Sequence, residues 1–217
     1  MSASPKPPPW ADGLLGLVLR PDDAETVCGD LIEEYCETVH PASGSWRANA
    51  WWLRQVGGFV WRAVWGWGLL LALLMSGRAV FDTFAPPANI VTGWGPRAAF
   101  TTWSLTAFFA FVGVWGAWRT GRALGGTLAA IATHLIGFIL GVPFHLALFV
   151  SVIRHDPRML DLFEVTGGWG EEWGLPLMLV PIVLMLGTLG GILGKLLGRP
   201  LVQLLVVRPK EGRHEQS

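Results

Sequence analysis

Apolar and polar positions divide this 217-residue chain into two regimes. From Gly57 onward, long apolar runs are separated by short polar breaks. Four runs approach or exceed the roughly 20 residues a helix needs to cross a bilayer. They predict spans at about 57–77, 98–118, 123–153 and 174–197. The third is overlong and contains Pro143, which predicts a kink or a tilt.

Ahead of Gly57 the apolar positions are sparser and periodic. Leu14, Leu15, Val18 and Leu19 predict a short helix from Trp10 to Leu19 that Pro21 stops. Asp22 or Asp23 then caps a second helix with an acidic first turn. Its apolar positions Val27, Leu31, Tyr35 and Val39 recur every four residues, while Asp30, Glu33, Glu34 and Glu37 hold much of the remaining surface, so it is amphipathic. His40-Pro41 with Ser43-Gly44 ends it. A third helix begins near Ser45, carries Trp46, Trp51, Trp52 and Leu53, and runs directly into the first span. The expected plan is a Pro-rich, disordered or polyproline-type leader at 1–9, a helical module at 10–56, a four-span bundle at 57–198 and a tail at 199–217. The fold class is all-α: a four-transmembrane-helix bundle with a small N-terminal cytoplasmic helical prefix.

Composition strengthens the membrane reading. Charged residues make up 15% of the chain, against roughly 25% in ordinary soluble domains, and mean hydropathy is +0.45. Thirteen Trp and 28 Gly against a single Tyr suit a bilayer, where Trp gathers at the interfaces and membrane helices tolerate Gly. The groups Trp61, Trp65, Trp67 and Trp115, Trp118 fit such an interfacial belt. Zero net charge argues against a nucleic-acid partner. Cys28 and Cys36 are eight residues apart, about 12 Å on one helix, too far for a disulfide, and read as ordinary thiols in a reducing compartment. The N-terminal region lacks a secretory signal pattern, since Leu14 to Leu19 is too short and has no basic flank.

Charge distribution adds direction. Lys6, Arg20, Arg47, Arg54, Arg62, Arg119, Arg122, Lys195, Arg199, Arg208, Lys210 and Arg213 fall on the side of the termini, and Arg78, Arg97, Arg154 and Arg158 on the other. Twelve against four predicts that both termini are cytoplasmic in a multi-pass protein of the bacterial inner membrane. The two connections on the far side are short, and the second, with Asp156, Asp161, Glu164, Glu171 and Glu172, reads as a solvated acidic loop.

One segment resembles a known module. Leu14-Leu15, Pro21, Gly29-Asp30-Leu31-Ile32-Glu33-Glu34-Tyr35 and Ala50-Trp51-Trp52-Leu53-Arg54-Gln55, leading into an apolar helix, are similar to the permease-prefix domain of bacterial ABC-type export permeases. The resemblance covers about a quarter of the chain, Trp10 to Arg62. It implies a cytoplasmic docking module in a permease-like context, with no catalytic residues. Beyond Arg62 the chain departs from those permeases, which carry a large periplasmic domain and a duplicated helical core.

Three sets of residues carry candidate chemistry. Asp30, Glu33 and Glu34, with Trp51 and Arg54 nearby, are candidates for docking a partner; alternatively the Val27/Leu31/Tyr35 face simply packs on Leu14, Val18 and the Trp51/Trp52 helix. His134 and His145 are intramembrane polar candidates, three turns apart on nearly one face with Gly137 and Gly141. They are about 16 Å apart along the axis, so one metal or haem iron cannot take both. They form either a polar path or neutral bonds across a close helix interface. Gly187, Gly190, Gly191 and Gly194 give overlapping GxxxG spacings that predict tight packing, within the bundle or between protomers. Gly194-Lys195 is not a phosphate loop, since Leu189 and Leu196 replace the required Gly and Ser/Thr. Leu201 to Val207 is expected along the inner interface or against the soluble helices.

These readings converge on a non-enzymatic accessory or regulatory membrane protein that docks through its prefix, without cofactor or metal. Its expected partners are the lipid bilayer and a membrane or cytoplasmic protein, permease-like or regulatory, with homo-oligomerisation through the glycine faces as a further option. The competing class is a small transporter or channel with His134 and His145 in a polar path. An intramembrane enzyme is weaker, since no nucleophile–base pair, HExxH or paired-Asp motif occurs.

Overall fold

The structure, a computed structural model, describes residue 7 and residues 9–85, 90–165 and 167–206. Among them are seven α-helices and no strand. Four helical stretches are long and apolar enough to cross a membrane: Pro21–Phe84, where α2, a π-helical turn and α3 run together, then Gly95–Thr120, Ala123–His155 and Pro176–Leu197. The chain is an all-α, multi-pass membrane protein.

The prefix starts with α1 (Pro9–Gly16), which unwinds through a turn in which the Leu17, Val18 and Leu19 amides bond back to Leu14 and Leu15. Pro21 does not stop this helix; it opens the next, α2 (Pro21–Glu34). Proline fits the first helical position because its missing N–H would have no intrahelical acceptor there. Arg20, not an Asp, is therefore the N-cap, and Asp22 and Asp23 lie in the first turn, where the helix dipole favours carboxylates.

A π-helical turn, Tyr35–Val39, follows α2, with the His40 N–H bonding the Tyr35 carbonyl five residues back. The apolar spacing explains it. Positions four apart overshoot an α-helical turn by about 40° each, so Val27, Leu31, Tyr35 and Val39 would wind off the core; the wider π turn absorbs the drift. Helix α3 (His40–Phe84) is broken only at Gly44, whose φ of 73° suits glycine. Beyond Gly44 it runs unbroken through residues 45–84, about 60 Å, roughly twice a hydrocarbon core. The third prefix helix thus continues into the first span, as its pattern predicted.

The remaining long helices are α4 (Ile90–Thr120), α5 (Ala123–Ser151) and α7 (Gly168–Val206). Helix α5 is central, running beside α3, α4 and α7, while α4 also runs beside α7. It remains helical through Pro143. Glycine makes the α4–α5–α7 meeting possible. A Cβ on Gly113 would lie 2.7 Å from the Gly187 carbonyl oxygen, and one on Gly126 would strike the Gly113 carbonyl and stand 2.8 Å from Gly191 Cα. Helix α3 meets α4 differently, through the Trp67 ring, which stacks edge-on with Phe108, Phe111 and Trp115 at 5.6 to 6.1 Å.

At the end away from the prefix, Asp82 joins α3 to α4. It pairs with Arg78 on its own helix and with Arg97 at 3.2 Å; Arg78 donates to the Arg97 carbonyl at 3.1 Å, and Arg97 to the Ala85 carbonyl at 2.8 Å. The second far-side connection is not merely a solvated loop. It folds into a 3-10 turn, Ile153–His155, and helix α6 (Pro157–Val165), whose start the Asp156 carboxylate caps by accepting the Arg158 N–H at 2.9 Å. Phe163 of α6, Phe149 of α5 and Trp169 of α7 stack together at 4.7 to 5.5 Å. Residues 201–206 continue α7, so the helix runs past residue 198. Leader residues 1–6 and 8 and tail residues 207–217 lie outside the described residues.

Candidate functional site

The prefix uses its apolar face internally. Leu15, Leu19, Leu31, Tyr35, Ala48, Trp52 and Val56 form one buried cluster, bordered by Val27, Ile32, Val39 and Trp51. Trp52 is fully buried, with the Tyr35 ring edge-on at 5.8 Å. The Tyr35 hydroxyl donates to Asn49 Oδ1 at 2.8 Å. Burial pushes the Tyr35 hydroxyl pKa above its usual value of 10.0, and the neighbouring Cys36 adds to the rise. Trp51 sits half-buried against the edge of this cluster, its ring 6.2 Å from that of Trp52, so it serves the core at least as much as the surface. No disulfide joins Cys28 and Cys36.

What remains outside is acidic. Asp30, Glu33, Glu34 and Glu37 are exposed, and no ion pair among the described residues engages them. Arg54 is exposed as well, on α3. The prefix is seated on the bundle. Its α1–α2 turn lies against the α4–α5 corner: a Cβ on Gly125 would come 3.0 Å from the Leu17 carbonyl oxygen, one on Gly16 would strike the Arg122 guanidinium, and one on Gly121 would rest 3.8 Å from Pro21 Cγ. Leu17 and Val18 line a narrow crevice there with Val60, Val64, Arg119 and Ala129. Arg119 lies over the Trp115 ring at 5.5 Å.

In the third span the two histidines part company. His134 is buried, its ring edge-on to Phe109 of α4 at 5.7 Å. Its Nε2 lies 2.9 Å from the Pro176 carbonyl of α7. A carbonyl oxygen only accepts, so Nε2 carries the proton in this bond. His145, three turns on, is half-buried with its ring 6.1 Å from that of Phe144. The structure does not bring the two together. Nor do the intervening glycines act alike: Gly137 makes room for Leu71 of α3, whose Cδ2 would be 2.7 Å from a Cβ there, while Gly141 would meet nothing within 4 Å. Among the described residues no three His, Cys, Asp or Glu side chains are placed to hold a metal ion.

The α7 glycines face inward on two sides. Gly187 and Gly191 receive Ala130 and Ala123 of α5, and Gly190 and Gly194 receive the Ala110 and Val114 carbonyls of α4. Both GxxxG faces are thus occupied within the chain. Beside them Thr127 and Thr188 share a hydrogen bond at 3.0 Å between α5 and α7. Sequence reasoning missed Gly113 and Gly126, which meet the α7 glycines, and Gly116, which meets Gly125 and Gly126 of α5, although the pairs Gly113/Gly116 and Gly125-Gly126 stand in plain view. It also missed Asp82 as a bridge, although Arg78 and Asp82 have the four-residue spacing of a helical ion pair.

No protein-family model, curated protein or solved structure matches the chain. Its function therefore rests on the residues themselves.

Proposed function

We propose that this protein is a non-enzymatic accessory or regulatory component of the bacterial inner membrane, with both termini cytoplasmic, that recruits a basic partner through the acidic face of its prefix. One observation carries the reading. Helix α2 and the π-helical turn after it spend their apolar side on Leu15, Trp52 and Val56 and leave Asp30, Glu33, Glu34 and Glu37 exposed on a module seated against the membrane bundle. A complementary cationic surface would be steered to such a face and held in register by it. The excess of Lys and Arg on the side of the termini supports the orientation, and the likeness of residues 10–62 to permease prefixes supports a permease-like or regulatory partner.

The test is copurification from native membranes with the full chain. Replacing Asp30, Glu33 and Glu34 by Asn or Gln should abolish recovery of the partner, while His134→Ala and His145→Ala should leave it intact. Charge-independent recovery, or none, overturns the docking role. Solute flux in reconstituted vesicles that is lost on replacing either histidine would establish the transporter class instead.

A further inference from the structure

On the outer flank of α3, where it passes α5, lies an open groove of about 380 Å³ lined by Leu53, Val56, Gly57, Val60 and Trp61 on one side and Ala132, Leu135 and Ile136 on the other. Every lining residue is apolar. Gly57 and its neighbour Gly58 are exposed and would meet nothing within 4 Å if given a Cβ, so they notch the α3 wall. Leu53 to Trp61 covers about 12 Å of helix, at the level where the prefix gives way to the span.

The prefix-side rim is cationic. Arg54 follows Leu53 in sequence and lies seven residues, or two turns, from Trp61 on one helical stripe, and Arg47 lies seven residues further toward the prefix. Arg62 adjoins Trp61 at the opposite, span-side end of the groove. All three arginines are exposed, and no ion pair among the described residues engages them. Trp61 and Trp65 are about half-exposed beside the groove, where their rings can flank an acyl chain.

We propose that this groove binds one anionic phospholipid of the prefix-side leaflet, with an acyl chain along the notch and the phosphate at Arg54. An acyl chain suits a dry wall that faces the bilayer. A phosphate suits the guanidinium, whose planar fork matches its oxygens. Basic positions at the ends of membrane helices favour anionic over zwitterionic headgroups because only the former keep a net negative charge. The proposal stands apart from the docking function, which concerns the carboxylates of α2.

Native mass spectrometry of the full-length chain, released from membranes with equal phosphatidylglycerol and phosphatidylcholine, tests it. The wild type should retain phosphatidylglycerol preferentially, and Arg54→Gln should cut that preference about fivefold. Gly57→Leu, which fills the notch without touching a neighbour, should reduce retention of both lipids. Arg158→Gln, at the other end of the bundle, should change nothing. Equal retention of the two lipids by the wild type, or indifference to both Arg54→Gln and Gly57→Leu, overturns the proposal. So does efficient disulfide dimerisation of Gly57→Cys in the membrane with no lipid retained, which would make the groove an interface between copies of this chain.

Discussion

In the prefix, Trp52, Tyr35 and Leu15 fill the interior with bulk. Where α4, α5 and α7 meet, Gly113, Gly126, Gly187 and Gly191 bring backbones together by having no side chain at all. The contrast follows the solvent. In water, burying large apolar surfaces is itself the drive to fold, so the prefix gathers its largest side chains at the centre. Lipid tails are as apolar as leucine, and spans gain little from burying bulk; close van der Waals contact and a few hydrogen bonds hold them instead. Trp67 with its three aromatic neighbours, and the Phe149–Phe163–Trp169 stack at the far end, show that bulk also joins helices in the bundle, away from the glycine meeting point.

The sharpest way to break this contrast is to exchange the two strategies. Trp52→Ala should cost about 3–5 kcal/mol, the usual range for removing a buried tryptophan. The loss should stay in the prefix: limited proteolysis should cut ahead of residue 57 while the spans remain protected. The converse substitution, Gly126→Leu, should cost about 1–3 kcal/mol or more, because its neighbours are the Gly113 and Gly191 backbones, which have no rotamer to escape into. Here size-exclusion of the detergent-solubilised chain should show aggregation or loss of the monodisperse peak. Gly66→Leu, at a position with no neighbour within 4 Å, should leave that peak unchanged.

Smaller effects sharpen the picture. His134→Ala removes one interhelical hydrogen bond, worth about 0.6 kcal/mol and at most about 1.7 kcal/mol in membrane proteins, so thermal melting should fall slightly and the fold persist. Tyr35 provides a pH signature. Its pKa is raised on folding, so the native state holds its proton more tightly. Prefix stability should be flat with respect to this group below pH of about 10 and fall as pH rises above it. Tyr35 is the sole tyrosine, so tyrosinate absorbance follows it alone. Tyr35→Phe should remove this contribution and, by taking away the bond to Asn49, lower stability by about 1 kcal/mol.

What was legible in the sequence was what depends on near neighbours. The apolar runs placed the last three spans within a few residues of the observed stretches and the first inside the longer Pro21–Phe84 stretch, and the four-residue spacing from Val27 to Val39 placed the buried face of α2. Pro21 was misjudged because proline both ends and begins helices, and the choice turns on whether the next residues can propagate one. Helix α6 was hidden by its five carboxylate-rich surroundings, although Asp156-Pro157 is a cap followed by a helix start. The glycine meeting point was illegible for a deeper reason. In a membrane helix glycine is unremarkable, and only the partner backbone, tens of residues away, distinguishes Gly126, which is crowded, from Gly141, which is not. The candidate site shares that limit: the exposure of Asp30, Glu33 and Glu34 followed from amphipathic spacing, whereas the bond between His134 and Pro176 spans 42 residues.

The unbroken helix from residue 45 to 84 makes the molecule mechanically stiff in one particular sense. It carries Trp52 in the prefix and Asp82 at the opposite end, thirty residues or about 45 Å along a single shaft. The two ends of the molecule are therefore linked through one continuous helix. At the far end the Arg78–Asp82–Arg97 bridge ties that shaft to α4, and at the near end Leu31 and Tyr35 clamp the prefix to it through Ala48, Trp52 and Val56.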